Sequence, residues 1–246
     1  MKNVLLAAIM LLVAVGPVRA LPLFLESFED PAQLPGQAAF SCCGGSVSPG
    51  WVGSGYGGYV GVYNPTGTGR FNSIPGGSQY AYINAPVFPG AHLSRDAGVA
   101  WVAGTTYVLQ ASIGADLVAA NNDSWQLELW SGQPFAFGSA LLALLNAGSL
   151  NAVEPTAGDW AVNTLSYTAV ASGGEVWASL GVLAGSRPGY TVSNFDLVSV
   201  TAINASTADL PEPASGGLLA IAGALAWWTR GRQAVAGVAA LGTASG

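Results

Sequence analysis

The sequence predicts an all-β fold, a two-sheet jelly-roll sandwich, with an N-terminal signal helix and a C-terminal apolar helix. Three observations lead to this prediction. At least eight segments alternate apolar and polar residues with the period of two that a β-strand has. Glycine, which occurs 34 times, and proline, which occurs 14 times, separate these segments and favour turns. The longest apolar runs lie at the two ends of the chain, outside the alternating region.

Residues 1–20 have the pattern of a secretory signal peptide. Lys2 gives a positive start, an uninterrupted apolar run extends from Val4 to Val15, and Val18-Arg19-Ala20 supplies the small or apolar residues of a cleavage site. We therefore expect export across the inner membrane and a mature chain that begins at Leu21. A transmembrane anchor is the alternative, but it needs about 20 apolar residues.

The predicted sandwich occupies residues 21–208. Alternation places Trp125 and Leu127 on the inward face of one strand and Gln126 and Glu128 on its outward face. In chain order, strands are predicted over residues 23–29, 59–63, 79–84, 105–114, 124–130, 160–169, 175–183 and 191–202.

Two further segments complete the alternating region. Residues 140–147 are rich in leucine and alanine and fit either a short helix or a buried strand. His92, Ser94 and Asp96 share one face of a strand, which we expect to be an ordinary exposed face without a catalytic role.

Residues 209–232 combine three features in a fixed order. Pro211, Glu212 and Pro213 precede an apolar stretch, which Arg230 and Arg232 follow. This order resembles the PEP-CTERM sorting domain of exported bacterial proteins. The resemblance implies processing by an exosortase, a membrane peptidase, and transient attachment to the membrane before release to the cell surface or the medium. A buried or amphipathic surface helix is the alternative, and residues 233–246 follow as a tail of small residues.

The region 24–202 is similar to galactose-binding-like and carbohydrate-binding-module jelly rolls. The stretches that carry the similarity are residues 27–29, 77–84, 103–109 and 194–198. The resemblance implies that the first and last strands are neighbours and that a structural calcium ion binds there. Glu29 and Asp196 are the carboxylates at these positions, so we expect them to be metal ligands. Two solvated carboxylates at strand ends are the alternative.

The segment from Trp51 to Tyr63 interleaves aromatic residues with glycine. Exposed aromatic rings can stack on the apolar face of a sugar, so Trp51, Tyr56 and Tyr59 are candidate ligand-binding residues. The alternative is that Trp51, Tyr59 and Tyr63 fill the core and the glycines form turns.

Composition excludes several classes of function. Lys and Arg total 7 against 13 Asp and Glu, which gives a formal net charge of −6 and argues against binding to nucleic acid. One histidine and two adjacent cysteines cannot build a Cys/His zinc site. The adjacent Cys42 and Cys43 leave a strained vicinal disulfide, an intermolecular disulfide and free thiols open.

We therefore expect a non-enzymatic, exported protein of the cell surface or extracellular matrix. Its jelly roll is expected to bind extracellular polysaccharide or to have a structural role. The alternative is a carbohydrate-active enzyme, a glycoside hydrolase or lyase, with two carboxylates that face each other across a cleft.

Overall fold

The computed structural model describes residues 19–41, 45–54, 58–67, 69–85, 91–118, 124–182 and 191–204. The described residues contain thirteen strands and lie in one compact unit, Arg19–Ala205. The strands are β1 (Arg19–Glu26), β2 (Ala38–Ser41), β3 (Ser46–Ser48), β4 (Trp51–Ser54), β5 (Tyr59–Tyr63), β6 (Tyr80–Ala85), β7 (His92–Ala100), β8 (Thr105–Gly114), β9 (Trp125–Ser131), β10 (Ala140–Asn146), β11 (Trp160–Thr168), β12 (Glu175–Val182) and β13 (Thr191–Asn204).

The strands form two antiparallel sheets, which confirms the predicted all-β sandwich. One sheet has seven strands in the order β11-β8-β13-β6-β5-β2, with β1 paired to β13. The other has six strands in the order β10-β9-β12-β7-β4-β3. The first and last strands are therefore neighbours, as the jelly-roll resemblance implied.

The core lies between the sheets and is built from alternate residues of each strand. Trp125, Leu127 and Leu129 of β9 are fully buried there, as predicted, and so are Leu109 and Ile113 of β8. Burying a side chain of this size stabilises the fold by about 1.5–3 kcal/mol. The core therefore holds the two sheets face to face and leaves their outer faces for other functions.

The ambiguous leucine-rich segment is strand β10, at the edge of the six-stranded sheet. It is not a helix, and it is only partly buried, since Leu141 and Leu144 are each 44% exposed. An edge strand has a partner on one side only, so its outward leucines lack a neighbouring strand to cover them.

Several boundaries differ from the prediction. Strand β1 begins at Arg19 and ends at Glu26, so Glu29 lies in the following loop. Strands β2, β3 and β4 have only three or four residues each, too few to show a period of two. Residues 1–18 of the predicted signal segment and the whole predicted C-terminal helix lie outside the described residues, while Arg19 and Ala20 begin β1. No helix among the described residues is long and apolar enough to span a membrane.

Candidate functional site

Strand β13 changes its partner at Asp196. Residues 191–195 pair with β6, and residues 198–204 pair with β1. The pairing of β13 with β8 shifts its register between Asp196 and Ser199. Leu197 has a φ of 44°, in the left-handed region that non-glycine residues rarely adopt. The strand is thus interrupted at the residue after Asp196, which frees the Leu197 N–H from the ladder.

The Asp196 carboxyl group is fully buried and held by two backbone donors. Its Oδ2 accepts a hydrogen bond of 2.6 Å from the Gly76 N–H, and its Oδ1 accepts one of 2.8 Å from the Leu197 N–H. A Cβ atom at Gly76 would lie 2.7 Å from Oδ1 and 2.9 Å from Oδ2. Only glycine lets the loop approach the carboxyl group this closely.

The surroundings of Asp196 raise the pKa of its carboxyl group to about 7. Burial is the main cause, because removal from water disfavours the charged form. The hydrogen bonds from Gly76 and Leu197 oppose the increase, and the negative charges of Glu29 and Glu26 add to it. A carboxyl group with this pKa can both donate and accept a proton near neutral pH.

Glu26, at the end of β1, and Glu29, in the loop after it, lie in the same region. Glu29 Oε1 accepts hydrogen bonds from the backbone N–H groups of Ser78 and Gln79, both at 2.8 Å. Glu26 Oε2 lies 2.8 Å from Arg95 Nη1 in an ion pair. The segment Gly76–Gln79 is therefore fixed on one side by Asp196 and on the other by Glu29.

The calcium site predicted at Glu29 and Asp196 stays a prediction. Calcium takes six to eight oxygen ligands, and the two carboxylates supply at most four. All four oxygens already accept a hydrogen bond. Within the described ranges, no group of three or more His, Cys, Asp or Glu residues could hold a metal ion. Further ligands would have to come from backbone carbonyls or water.

Aromatic rings pack beside this region, next to the outer face of the seven-stranded sheet. The ring centroid of Phe71 lies 5.1 Å from that of Tyr80 and 4.6 Å from that of Trp160. Trp160 is opposite Gly114 in the pairing of β11 with β8, and Gly114 is opposite Asn194, two residues before Asp196. Tyr80 is on β6, next to β13, whereas Trp160 is on β11, with β8 between it and β13, and Phe71 comes from the loop between β5 and β6.

A cleft of about 200 Å³ is lined by the segment that follows Gly76, and Asp196 itself does not line it. It lies below the ~300–1,000 Å³ that is usual for ligand pockets. Gly77 lines this cleft, while the adjacent Gly76 contacts Asp196. Two residues without side chains thus separate the cleft from the acid. The lining residues are Asn64, Pro65, Gly67, Phe71, Asn72, Ser73, Ile74, Gly77 and Ser78.

The three candidate ligand-binding aromatic residues do not form one described surface. Trp51 is fully buried and packs against Phe24 and Phe28, at centroid distances of 5.9 and 5.5 Å, which fits the alternative that it fills the core. Tyr59 is 45% exposed on the other sheet. Tyr56 lies outside the described residues.

The sorting residues and the two cysteines also fall outside the described ranges. Pro211, Glu212, Pro213, Arg230 and Arg232 all follow residue 204, where the description ends. Cys42 and Cys43 belong to the gap between β2 and β3.

The sequence predicted Asp196 and Glu29 as site residues but not the backbone N–H groups that form hydrogen bonds with them. Gly76 is 120 residues from Asp196 in the chain, and no local pattern joins the two. The Gly76-Gly77 pair was the available signal, because two adjacent glycines mark a close backbone approach.

Similar solved structures share the fold. A Stig cyclase from Fischerella sp. TAU, in complex with (3Z)-3-(1-methyl-2-pyrrolidinylidene)-3H-indole, is 17% identical, with a TM-score of 0.60 over 76% of this chain and 99% of that one. A cyclase from Fischerella sp. TAU in complex with 4-(1H-indol-3-yl)butan-2-one is 19% identical, with a TM-score of 0.57 over 77% and 100%. A CBM22-1 xylan-binding domain from Paenibacillus barcinonensis is 12% identical, with a TM-score of 0.47 over 77% and 99%, too low to support an argument. No curated protein matches this chain in sequence.

The family comparison corrects the expected function. The profile of the HpiC1-like family, described as HpiC1 cyclase, matches residues 20–201. The expectation of a non-enzymatic protein that binds carbohydrate or has a structural role is therefore wrong, and so is the alternative of a glycoside hydrolase or lyase. Export stays a prediction. The match ends before residue 209 and gives no support to the PEP-CTERM resemblance. Because the match extends over almost all of the described sandwich, the chain belongs to the HpiC1-like cyclase family.

Proposed function

We propose that this protein is a cyclase that closes a ring in an aromatic substrate by donating a proton from Asp196. The observation that carries the proposal is a fully buried carboxyl group with a pKa of about 7, which is bonded to Gly76, while the next residue, Gly77, lines a cleft together with Phe71. At neutral pH a large fraction of such a group is protonated, whereas an ordinary aspartate is almost entirely ionised.

The reaction balances without an oxidant or a second substrate. The Asp196 carboxyl group donates its proton to a carbon–carbon double bond and leaves a carbocation. A second π bond of the same molecule attacks the cation and forms the new carbon–carbon bond. Loss of a proton to the Asp196 carboxylate then restores the acid. Substrate and product are isomers.

The aromatic residues suit a cationic intermediate. The faces of Phe71, Tyr80 and Trp160 carry negative electrostatic potential and attract a positive charge. They also exclude water, which would otherwise trap the cation as an alcohol. Phe71 belongs to the cleft itself, so at least one ring borders the space where a substrate would lie.

Access to Asp196 requires a small movement of the Gly76-Gly77 segment. Gly76 covers the carboxyl group and Gly77 faces the cleft. Because neither residue has a side chain, a displacement of this backbone joins the cleft to the acid without moving a bulky group. The Gly76 N–H can then remain a donor to the carboxylate after proton transfer.

The substrate class follows from the chemistry of the site and from the structural neighbours. The proton donor and the aromatic lining favour a planar, electron-rich ring with an unsaturated side chain. Two cyclases of the same fold were crystallised with indole compounds. We therefore take an indole with an alkenyl side chain as the substrate class.

The test is turnover of a panel of alkenyl indoles in D₂O by the full chain. We expect a product isomeric with the substrate that carries one solvent deuterium, and a rate reduced about 10²–10⁴-fold in Asp196→Asn. Asp96→Asn is the matched control, because Asp96 lies exposed on the other sheet. An Asp196→Asn variant that cyclises as fast as the wild type would overturn the proposal, and so would the absence of any isomeric product.

A further inference from the structure

A second group of polar side chains lies on the outward face of the six-stranded sheet. It consists of His92, Glu128, Gln126, Ser94 and Ser179, which come from three adjacent strands, β7, β12 and β9. The outer face of a sandwich is normally open to water, yet each of these residues is at most 7% exposed. The expectation that His92 and Ser94 lie on an ordinary exposed strand face is therefore wrong.

Glu128 organises this cluster. Its Oε1 accepts a hydrogen bond of 2.9 Å from Gln126 Nε2, and its Oε2 accepts one of 2.8 Å from Trp130 Nε1. The same Oε2 lies 3.4 Å from His92 Nδ1, which also contacts Ser179 Oγ at 3.4 Å. A carboxylate on this side favours the tautomer with the proton on Nδ1, because that N–H faces the negative charge.

The other imidazole nitrogen, Nε2, has no partner among the described residues. In the part of the chain that the structure describes, no group forms a hydrogen bond with Nε2. Nε2 is also not one of the fully buried side-chain nitrogens and oxygens that lack a partner. With the proton on Nδ1, Nε2 has a lone pair that can accept a hydrogen bond. Gly181, opposite His92, makes room for the cluster, since a Cβ there would lie 2.6 Å from both His92 Nδ1 and Gln126 Nε2.

The Phe135 ring packs against both the imidazole of His92 and the indole of Trp130. The Phe135 ring centroid lies 4.6 Å from that of His92 and 5.1 Å from that of Trp130. Phe135 comes from the loop between β9 and β10, is 58% exposed and has a φ of 64°. A left-handed backbone is unfavourable for a non-glycine residue and is often found at ligand-binding sites.

We propose that this face binds a small planar aromatic molecule that carries an N–H or O–H donor. The donor bonds to His92 Nε2, and the ring stacks against Phe135. The carboxylate of Glu128 behind the imidazole disfavours an anionic ligand. This site is on the sheet opposite the one that carries Asp196, so it stands whether or not the proposed cyclase reaction is correct.

The test uses the fact that His92 is the only histidine of the chain. Its imidazole NMR signals can therefore be followed in the full chain without ambiguity while indole is added. We expect a saturable shift of the Nε2 signal with indole, and binding about tenfold weaker with 1-methylindole, which lacks the N–H donor.

Three variants complete the experiment. Phe135→Ala should weaken indole binding, while the matched control Phe137→Ala should not, because Phe137 is fully exposed in the same loop. Asp196→Asn should leave the shift of His92 unchanged. The proposal is overturned if indole does not move the His92 signals, if 1-methylindole binds equally well, or if the shift disappears in Asp196→Asn.

Discussion

At the scale of single residues, the state of Asp196 results from opposing effects. Burial and the charges of Glu29 and Glu26 favour the protonated carboxyl group, whereas the N–H groups of Gly76 and Leu197 favour the carboxylate. Burial prevails, and the pKa is about 7. Arg95 pairs with Glu26, so part of the negative charge near Asp196 is already compensated.

The raised pKa has a consequence for stability. Between about pH 4 and pH 7 the unfolded chain has lost the Asp196 proton while the native state keeps it. The native state thus binds more protons, and the free energy of unfolding falls as the pH rises, by at most about 1.4 kcal/mol per pH unit. Above pH 7 the protonation of Asp196 no longer contributes to the free energy of unfolding.

Asp196→Asn should remove this part of the pH dependence. Urea denaturation between pH 4.5 and pH 8 measures it, with Asp96→Asn as a control that keeps the wild-type slope. If Asp196→Asn shows the same slope as the wild type, Asp196 is not the group responsible.

Gly76→Ala tests the close approach of the loop to Asp196. The added Cβ would lie 2.7 Å from Asp196 Oδ1 and 2.9 Å from Ser27 Cβ. Overpacking of this kind costs about 1–3 kcal/mol, and we expect that loss in chemical denaturation. Gly69→Ala is the matched control, because its Cβ would meet no atom within 4 Å. Equal stability of the two variants would contradict the account.

At the scale of elements, the long strands could be predicted and the short ones could not. The bounds predicted for β8, a strand of ten residues, agree with the structure, because its first six residues alternate in burial and show a clear period of two. The bounds predicted for β5 also agree, although it has only five residues. Strand β3 has three residues and shows none. Burial of the outward face at His92 also depends on Phe135, whose loop is distant from β7 in the chain.

The pairing of β1 with β13 brings Glu29, in the loop after β1, close to Asp196 on β13, so the predicted calcium site can be tested. If calcium binds only the native state at Glu29 and Asp196, it stabilises by about 2.7 kcal/mol at a hundredfold excess over its dissociation constant. For a domain of this size, each kcal/mol corresponds to about 2–4 °C in Tm. We expect a rise of several degrees, lost in Asp196→Ala.

The calcium effect should also depend on pH. A cation favours the ionised form of Asp196, so the rise in Tm should be larger at pH 8 than at pH 6. An unchanged Tm after exhaustive chelation would contradict the calcium prediction. It would not contradict the claim that Asp196 is protonated.

At the scale of the whole molecule, the sequence predicted the sandwich but not its activity. The alternation of apolar and polar residues indicates which side chains face the core, and the burial of these side chains determines the fold. The proposed activity depends on Asp196, Gly76 and Phe71, and these residues come from separate parts of the chain. The family became evident only from a match over residues 20–201.

The start of the mature chain is a separate prediction for the whole molecule. Cleavage after Ala20 would remove the pairs that Arg19 and Ala20 form with Asn204 and Ile203, at the beginning of β1, and keep the other pairs of this strand. We expect exported protein to begin at Leu21, which N-terminal sequencing checks. An intact Met1 in exported material would refute the signal peptide.

The central claim is that Asp196 carries a proton near neutral pH. The most direct measurement is an NMR titration of the carboxyl carbons in protein labelled with ¹³C-aspartate, with the Asp196 signal identified by its loss in Asp196→Asn. The account predicts a midpoint near pH 7 for this signal. A midpoint near pH 4, as in an ordinary aspartate, would contradict it.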